Sequence, residues 1–122
     1  MFHLFLVASG GAVGASLRYL IGNLSRLYFY HNFLTTLFIN VIGSFFIGYL
    51  ISIGYNKNLS ENFIKYFLII GLLGSFTTFS SFSLEVVDLY LSNKILLTTL
   101  YVILSFILCI FAAYIGIIIN KN

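Results

Sequence analysis

The chain has 122 residues, of which 61% are hydrophobic and 7% are charged, and its formal net charge is +3. This composition is that of an integral membrane protein and excludes a separate soluble domain, because one helical crossing needs about 20 residues and about four crossings use the whole chain. The six basic residues are scattered singly near segment ends, which is typical of membrane anchoring and argues against a nucleic-acid-binding surface.

The first two apolar segments each carry one feature that predicts close helix contacts. Segment 2–24 is interpreted as a retained helix, because no basic region and no clear cleavage site mark a signal peptide. Its Gly10 and Gly14 form a GxxxG pair, which lets two helix backbones approach closely in lipid. Segment 33–55 carries Asn40. A carboxamide near the middle of a membrane needs partners, which are either an interhelical hydrogen bond or a polar passage.

The third apolar segment, residues 63–91, is too long for one straight helix across a bilayer. Its 29 residues would extend about 43 Å at about 1.5 Å per residue, against about 30 Å of hydrocarbon. The chain has no proline, so the features available to interrupt the segment are Gly74, Ser75, Thr77 and Thr78. We predict a break near residues 74–78. Hydroxyl groups that only bond back to the preceding turn are the alternative.

The fourth segment, residues 95–119, has no charged residue but carries a stripe of polar and small side chains. These recur at three- and four-residue spacing and therefore share one helical face. The stripe comprises Thr98, Tyr101, Ser105, Cys109, Ala112 and Gly116. It predicts either an interhelical contact or one wall of a polar path. Cys109 is the single cysteine, which excludes an intramolecular disulfide and a cysteine-built metal site.

Basic residues are divided equally between the two sides of the membrane that four crossings define. Three lie toward the termini and three toward the other side: Lys57, Lys65 and Lys121 against Arg18, Arg26 and Lys94. Because an excess of basic residues sets the orientation of a membrane protein, an equal count predicts insertion in both orientations. Oppositely inserted copies are then able to pair antiparallel, and the GxxxG pair supports such close association.

Ionisable residues within or near the apolar segments are Arg18, Glu85 and Asp88. A charge at the centre of a membrane helix costs about 2.5–3.5 kcal/mol on insertion scales, so a functional role is the first hypothesis for each of them. An interaction between the arginine and a carboxylate at a membrane interface is the alternative.

Phe79 and Phe82 are three residues apart and share a helical face just beyond the predicted break. The edge of an aromatic ring carries partial positive charge, so two rings presented edge-on are able to contact an anion. A strongly hydrated ion also needs hydroxyl and amide donors, and the candidates are Asn40, Thr78, Ser80, Ser81, Tyr101 and Ser105. Simple packing is the alternative role for the phenylalanines. Phe67 and Phe106 are expected to lie outside this set.

Three motifs in order resemble the Fluc (CrcB-like) fluoride channels and together cover nearly the whole chain. They are GGAVGASLRY at residues 10–19, NVIGSF at 40–45 and GLLGSFTTFSSF at 71–82. The resemblance implies an all-α integral membrane subunit of four transmembrane helices with a broken third helix. It also implies an antiparallel, dual-topology homodimer with two pores. Such a channel exports fluoride passively across the cell (inner) membrane and relieves fluoride toxicity.

The resemblance assigns roles to single residues of this chain. Phe79 and Phe82 resemble the pore-lining rings, and Asn40 resembles the pore amide that orients them and meets fluoride. Arg18 resembles a residue of the aqueous vestibule. Three further residues resemble the polar track of the fourth helix and a carboxylate near the pore: Tyr101, Ser105 and Glu85.

By the same resemblance, the backbone carbonyls of Gly74 and Thr77 from both subunits hold a central, structural sodium ion. The sequence departs from the family pattern at three residues near these positions or along the track. Ser75 stands where a second glycine is common and strains the glycine-rich bend, whereas Ser81 replaces a threonine and keeps its hydroxyl. Cys109 stands where a serine commonly continues the track, and a thiol is only a weak donor.

Two other functions fit a small four-helix membrane protein. A small multidrug-type exporter is proton-coupled and needs a carboxylate in its first helix, where this chain has Arg18 and no acid. A non-transporting scaffold subunit needs no ordered polar track. An enzyme is the least favoured class, because the sequence has no nucleophile–base or metal-ligand cluster in the apolar segments or the short loops.

Overall fold

The structure, a computed structural model, describes residues 1–28, 32–56 and 61–120, and over these residues it is helical with short connections. The elements in chain order are α1 (Phe2–Ser25), α2 (Asn32–Asn56), α3 (a π-helix at Phe63–Leu73 ending in an α-helical turn at Gly74–Phe76), α4 (Phe79–Leu91) and α5 (Ile95–Ile119). Lys57 and Lys121, which enter the basic count, lie outside the described residues.

Four stretches of the described chain are long and apolar enough to cross a membrane. They are α1, α2 as far as Gly54, the combined Phe63–Leu91 segment and α5. The prediction of an all-helical integral membrane fold with four spans is therefore confirmed at this level. The spans are recognisable from sequence because hydropathy over about 20 residues is sufficient to define them.

The third span contains two extended residues between α3 and α4. Thr77 has φ −73° and ψ 154°, and Thr78 has φ −149° and ψ 113°. Before them α3 is wound as a π-helix, and the Gly74 N–H donates hydrogen bonds to the carbonyls of Ile69 and Gly71. A π-helix rises less per residue than an α-helix, because each hydrogen bond encloses one residue more. The π-helical winding therefore shortens this part of the 29-residue span, and the sequence did not predict it.

α1 packs most extensively against α3, and α2 packs against α5. A Cβ atom added to Gly10 would meet the carbonyl oxygen of Phe67, and one added to Gly14 would meet that of Leu72. The missing side chains therefore let the α1 backbone touch α3 directly. The GxxxG pair is used inside the chain, so it no longer supports the predicted pairing of two copies.

Few large side chains are deeply buried in the single chain. One cluster joins the buried side chains of Phe82, Leu89 and Tyr101, with Phe33 and Val86 packed against it. Most other large apolar side chains are exposed, as expected for helices whose outer surface contacts lipid rather than water. The cluster fixes α4 between α2 and α5, next to the two extended residues.

Candidate functional site

Asn40 on α2 holds the extended connection between α3 and α4. Its side-chain Oδ1 accepts a hydrogen bond from the Thr78 N–H at 2.8 Å, and its Nδ2 donates to the Thr78 carbonyl at 3.1 Å. One carboxamide therefore satisfies both backbone groups of Thr78, which have no partners within a helix at this point. Unpaired backbone groups are strongly disfavoured at membrane depth. Asn40 thus stabilises the extended backbone by providing the hydrogen bonds that a helix would otherwise supply.

Thr78 is also the N-cap of α4. Its Oγ1 accepts a hydrogen bond from the Ser81 N–H at 3.1 Å and donates to the Ser81 Oγ at 3.1 Å. The Ser80 Oγ lies 3.2 Å from the same oxygen, with either hydroxyl able to donate. A hydroxyl at the N-cap satisfies one of the free N–H groups of the first turn. The first turn of α4 therefore gathers three hydroxyl groups at the partly positive end of the helix.

A cavity of about 250 Å³ opens beside this turn, and we call it the phenylalanine cavity. It is lined by Asn40, Ser44, Ile47, Thr77, Thr78, Phe79, Phe82, Ser105, Phe106, Cys109 and Ile110. The centroids of the Phe79 and Phe82 rings are 5.4 Å apart, and the ring planes are inclined by 41°. The two rings differ in exposure to solvent, since Phe82 is 7% exposed and Phe79 is 70% exposed. The predicted phenylalanine pair therefore shares one cavity, which opens onto the surface of the single chain.

Phe106 also lies in this cavity, contrary to the expectation that it would lie outside. Its ring is perpendicular to that of Phe82, with an interplanar angle of 88° and a centroid separation of 6.1 Å. Tyr101, which is on α5 like Phe106, also contacts Phe82, with 5.2 Å between the ring centroids. The expectation failed because Phe106 flanks the polar stripe of α5 instead of lying opposite to it.

The α5 wall of the phenylalanine cavity carries Ser105 and Cys109, one helical turn apart. Ser105 is 7% exposed, and its Oγ has no hydrogen-bond partner among the described residues. The Cys109 thiol is free and half-buried, and Ser44 lines the same cavity. The lower part of the predicted polar stripe thus faces the cavity and keeps unused hydrogen-bonding capacity.

A second cavity, of about 360 Å³, lies toward the end of the bundle where α1 ends and α2 begins. We call it the arginine cavity. It is lined by Arg18, Gly22, Ser25, Arg26, Asn32, Thr35, Thr36, Ile39, Thr78, Ser81, Leu84, Glu85 and Asp88. Arg18, Ser81 and Glu85 were predicted site residues. Thr78 lines both cavities, so the two meet at the extended connection.

Glu85 is held at the inner wall of the arginine cavity by two neutral hydroxyl groups. Thr36 donates to its Oε1 at 2.7 Å, and Tyr101 donates to its Oε2 at 2.7 Å. Hydrogen bonds from hydroxyls to a carboxylate are short and strong. Sequence reasoning missed Thr36, although its position four residues before Asn40 places both on one face of α2.

The remaining predicted residues lie around the connection. Gly74 is exposed and Thr77 is half-buried, and the Thr77 hydroxyl donates to the Leu73 carbonyl at 2.9 Å. Ser80 and Tyr101 are not among the described residues that line either cavity. Each nevertheless forms a hydrogen bond with a residue that lines a cavity. Ser80 is hydrogen-bonded to Thr78, and Tyr101 donates to Glu85.

Fold and site together define a class: a small multi-pass membrane protein in which two cavities share Thr78, a residue of an extended connection in one span. The comparison with known families identifies the family within this class. The family described as CrcB-like protein, Camphor Resistance (CrcB), matches residues 5–117. The chain belongs to this family, and the resemblance read from its three motifs is confirmed.

Similar proteins are known from several bacteria and carry the name "Fluoride-specific ion channel FluC". The protein from Campylobacter jejuni strain RM1221 is 47% identical over 119 residues, which are 97% of each chain. The Agrobacterium fabrum protein is 38% identical over an alignment of 123 positions that covers 100% of this chain and 98% of that protein. The protein from Shewanella baltica strain OS155 is 43% identical over 117 residues, covering 95% and 94% of the two chains. The similarity thus extends over all four spans.

Proposed function

We propose that this chain is the subunit of a fluoride-selective ion channel that exports fluoride passively across the cell (inner) membrane and relieves fluoride toxicity. The names of these relatives support the proposal. The structural observation that carries it is the extended connection at Thr77 and Thr78, held by Asn40 between two cavities. Irregular backbone at membrane depth occurs where it is buried in protein or lines a polar cavity.

The arginine cavity is the vestibule in this proposal. Arg18 and Arg26 line it together with Glu85 and Asp88, so its formal charges balance. Both oxygens of Glu85 accept hydrogen bonds from neutral hydroxyls, which disperses the negative charge of this carboxylate at the inner wall. The guanidinium of Arg18 then raises the local concentration of anions at the mouth of the path.

The phenylalanine cavity is the dehydrated part of the path. An anion that leaves water there needs replacement donors, because removing a charge from water is strongly unfavourable. The positive edges of Phe79 and Phe82 supply part of this replacement. Neutral donors that line this cavity supply the rest, and they are Asn40, Thr78 and Ser105. Ser81 is a donor on the side of the arginine cavity, and Ser80 and Tyr101 support the path through their hydrogen bonds to Thr78 and Glu85. Uncharged contacts hold an ion weakly enough for it to leave again, as conduction requires.

Export needs no coupling ion in this proposal. Fluoride accumulates in cells because its neutral acid crosses membranes and then dissociates, so the anion is able to leave down its electrochemical gradient. A proton-coupled multidrug-type exporter would need a carboxylate in its first helix, and α1 has no acidic residue. A scaffold without transport would have no use for the Ser105 hydroxyl, which lines a cavity and finds no hydrogen-bond partner in the described part of the chain.

A second copy of the chain is the proposed cover of the phenylalanine cavity. Three residues that line it are largely exposed in the single chain, with 70% exposure for Phe79, 51% for Phe106 and 68% for Ile110. A path for ions through the membrane has to be closed against lipid. We infer an antiparallel, dual-topology homodimer, supported by the equal basic count of the sequence.

A structural sodium ion fits the end of α3. The Thr78 N–H, which in a continued α-helix would bond the Gly74 carbonyl, is donated to Asn40 at 2.8 Å. Helix C-termini carry partial negative charge and free carbonyl oxygens, which are suited to a small hard cation. The carbonyls of Gly74 and Thr77 from both copies are the proposed ligands. When bound, sodium would supply a fixed positive charge that joins the two interrupted helices.

One assay tests the proposed function. Purified protein is reconstituted in liposomes loaded with fluoride, and efflux is followed with a fluoride electrode under a potassium gradient with valinomycin. We expect fluoride efflux well above that of empty liposomes and little chloride efflux under the same conditions. Equal chloride efflux, or fluoride efflux that requires a proton gradient, would contradict the proposal.

A further inference from the structure

Cys109 is a nucleophilic side chain in the phenylalanine cavity that the proposed function leaves without a role. Its thiol is free and half-buried, and it lines the cavity together with Ser44 on α2 and Ser105 on α5. Ser105 precedes it by one helical turn, so both side chains are on one face of the helix. The thiol is therefore at the wall of an open space, and not in the packing between helices.

The Ser105 hydroxyl is an independent sign that this part of the cavity receives a small polar guest. The side chain is 7% exposed and lines the cavity, yet its Oγ has no hydrogen-bond partner among the described residues. Buried hydroxyl groups are nearly always paired, with protein or with a small molecule such as ordered water. A solute that reaches the Ser105 hydroxyl passes within one helical turn of the Cys109 sulfur.

We propose that Cys109 is a modification site for small, neutral, thiol-reactive sulfur compounds, and that the adduct blocks the cavity. The modification follows from the cavity alone, whereas the block of ion flow rests on the proposed function. A small neutral reagent suits the site, because the cavity has a volume of about 250 Å³ and apolar residues such as Ile47 and Ile110 among its walls. A bulky or charged reagent would be disfavoured there.

The reaction with methyl methanethiosulfonate is a balanced exchange. The Cys109 thiolate attacks the methylthio sulfur, and a new disulfide bond forms between the Cys109 Sγ and that sulfur. The sulfur–sulfur bond of the reagent breaks, methanesulfinate leaves with the electron pair, and the thiol proton passes to buffer. Because the thiolate is the attacking form, labelling accelerates with rising pH.

The test uses the full chain in liposomes and two separate readouts. Intact mass spectrometry measures the addition of one methylthio group, and a fluoride electrode measures efflux before and after labelling. We expect complete labelling and a loss of efflux on the order of tenfold or more, because a blocked pore has no parallel route. Dithiothreitol should reverse both effects.

Two variants complete the design. Cys109→Ser has a hydroxyl in place of the thiol. Treatment with the reagent should neither label this variant nor reduce its efflux. Cys109→Ser combined with Ile107→Cys moves the thiol to a residue that is 58% exposed and does not line the cavity; this variant should label without losing efflux.

Each result decides one part of the proposal. Native protein that resists labelling overturns the modification site. Complete labelling without loss of efflux overturns the block, as does equal inhibition of the Ile107→Cys variant. If unlabelled native protein shows no fluoride efflux, the proposed function fails, and the mass measurement alone still decides whether the Cys109 thiol is reached.

Discussion

The Asn40 side chain binds the Thr78 backbone through two hydrogen bonds, Thr78 N–H to Oδ1 at 2.8 Å and Nδ2 to the Thr78 carbonyl at 3.1 Å. The carboxamide thereby acts as the missing peptide partner of an extended residue. Thr78 in turn caps α4 and lines both cavities. A single side chain on α2 therefore fixes the start of α4, and with it the positions of the residues that follow.

Replacing Asn40 with Leu should disrupt the connection. Both Thr78 backbone groups would lose their partner, and each buried unpaired group costs about 1–3 kcal/mol. We expect a lower thermal unfolding temperature in detergent and at least about a tenfold loss of fluoride efflux, which corresponds to about 1.4 kcal/mol in the barrier. Thr99→Val is the matched control, since this exposed hydroxyl only bonds back to the Ile95 carbonyl. Native efflux and stability in Asn40→Leu would show that the connection does not depend on this residue.

Phe79→Ile and Phe82→Ile test the role of the aromatic ring edges. Isoleucine keeps apolar character and most of the volume but removes the positive ring edge. We expect a steep fall in fluoride efflux for both. Phe79→Ile should leave stability of the subunit nearly unchanged, because Phe79 is 70% exposed, whereas Phe82→Ile affects a side chain that is 7% exposed. The cost there should be below about 1.5 kcal/mol, as for other volume-conserving exchanges in a core.

The control for this pair has to avoid Phe106, because its ring contacts Phe82 and lines the same cavity. Phe111→Ile is suitable, since Phe111 is 58% exposed on α5 and does not line that cavity. Efflux and size-exclusion profile should be measured for all three variants. If the two pore variants remain dimeric and conduct as well as Phe111→Ile, the contribution of the ring edges is disproved.

Sequence reasoning predicted the helical spans well because hydropathy over a span is a local property. It also selected Asn40, Thr78 and Ser105, because a polar group in an apolar segment is conspicuous whatever its partners are. It could not predict contacts between distant segments, such as the pairing of Thr36 with Glu85. The π-winding of α3 was also missed, because an apolar run has the same composition in either helix. Phe106 was misplaced for a related reason, since composition does not distinguish a ring in a cavity from a ring in lipid.

Gly14→Ala and Gly22→Ala should have opposite effects on stability. A Cβ at Gly14 would meet the Leu72 carbonyl, whereas nothing lies within 4 Å of a Cβ at Gly22. The first variant separates α1 from α3, and we expect it to lose roughly 1–3 kcal/mol. The second only improves helix propensity and should gain up to about 0.5–1 kcal/mol. Thermal unfolding in detergent measures both, and equal effects would contradict the direct backbone contact.

Removal of sodium should weaken both conduction and association. If the Gly74 and Thr77 carbonyls of two copies hold sodium, their partial negative charges would repel one another without it. We expect slower fluoride efflux and a smaller dimer fraction when sodium is replaced by N-methylglucamine, with recovery after sodium is added back. Native efflux and an unchanged dimer fraction in rigorously sodium-free buffer would exclude a structural sodium ion.

Dual topology predicts that the C-terminus is found on both faces of the membrane. A tag at the C-terminus should react with an impermeant reagent in part from outside intact cells and completely after permeabilisation. Lys94→Gln should shift this ratio, because Lys94 is an exposed basic residue on the side opposite the termini and its loss breaks the equal count. We expect more C-termini on the cytoplasmic side, fewer antiparallel dimers and correspondingly lower efflux. If all C-termini of the native protein react from one face, the antiparallel arrangement is refuted. The second copy that covers the fluoride path would then have to be parallel to the first.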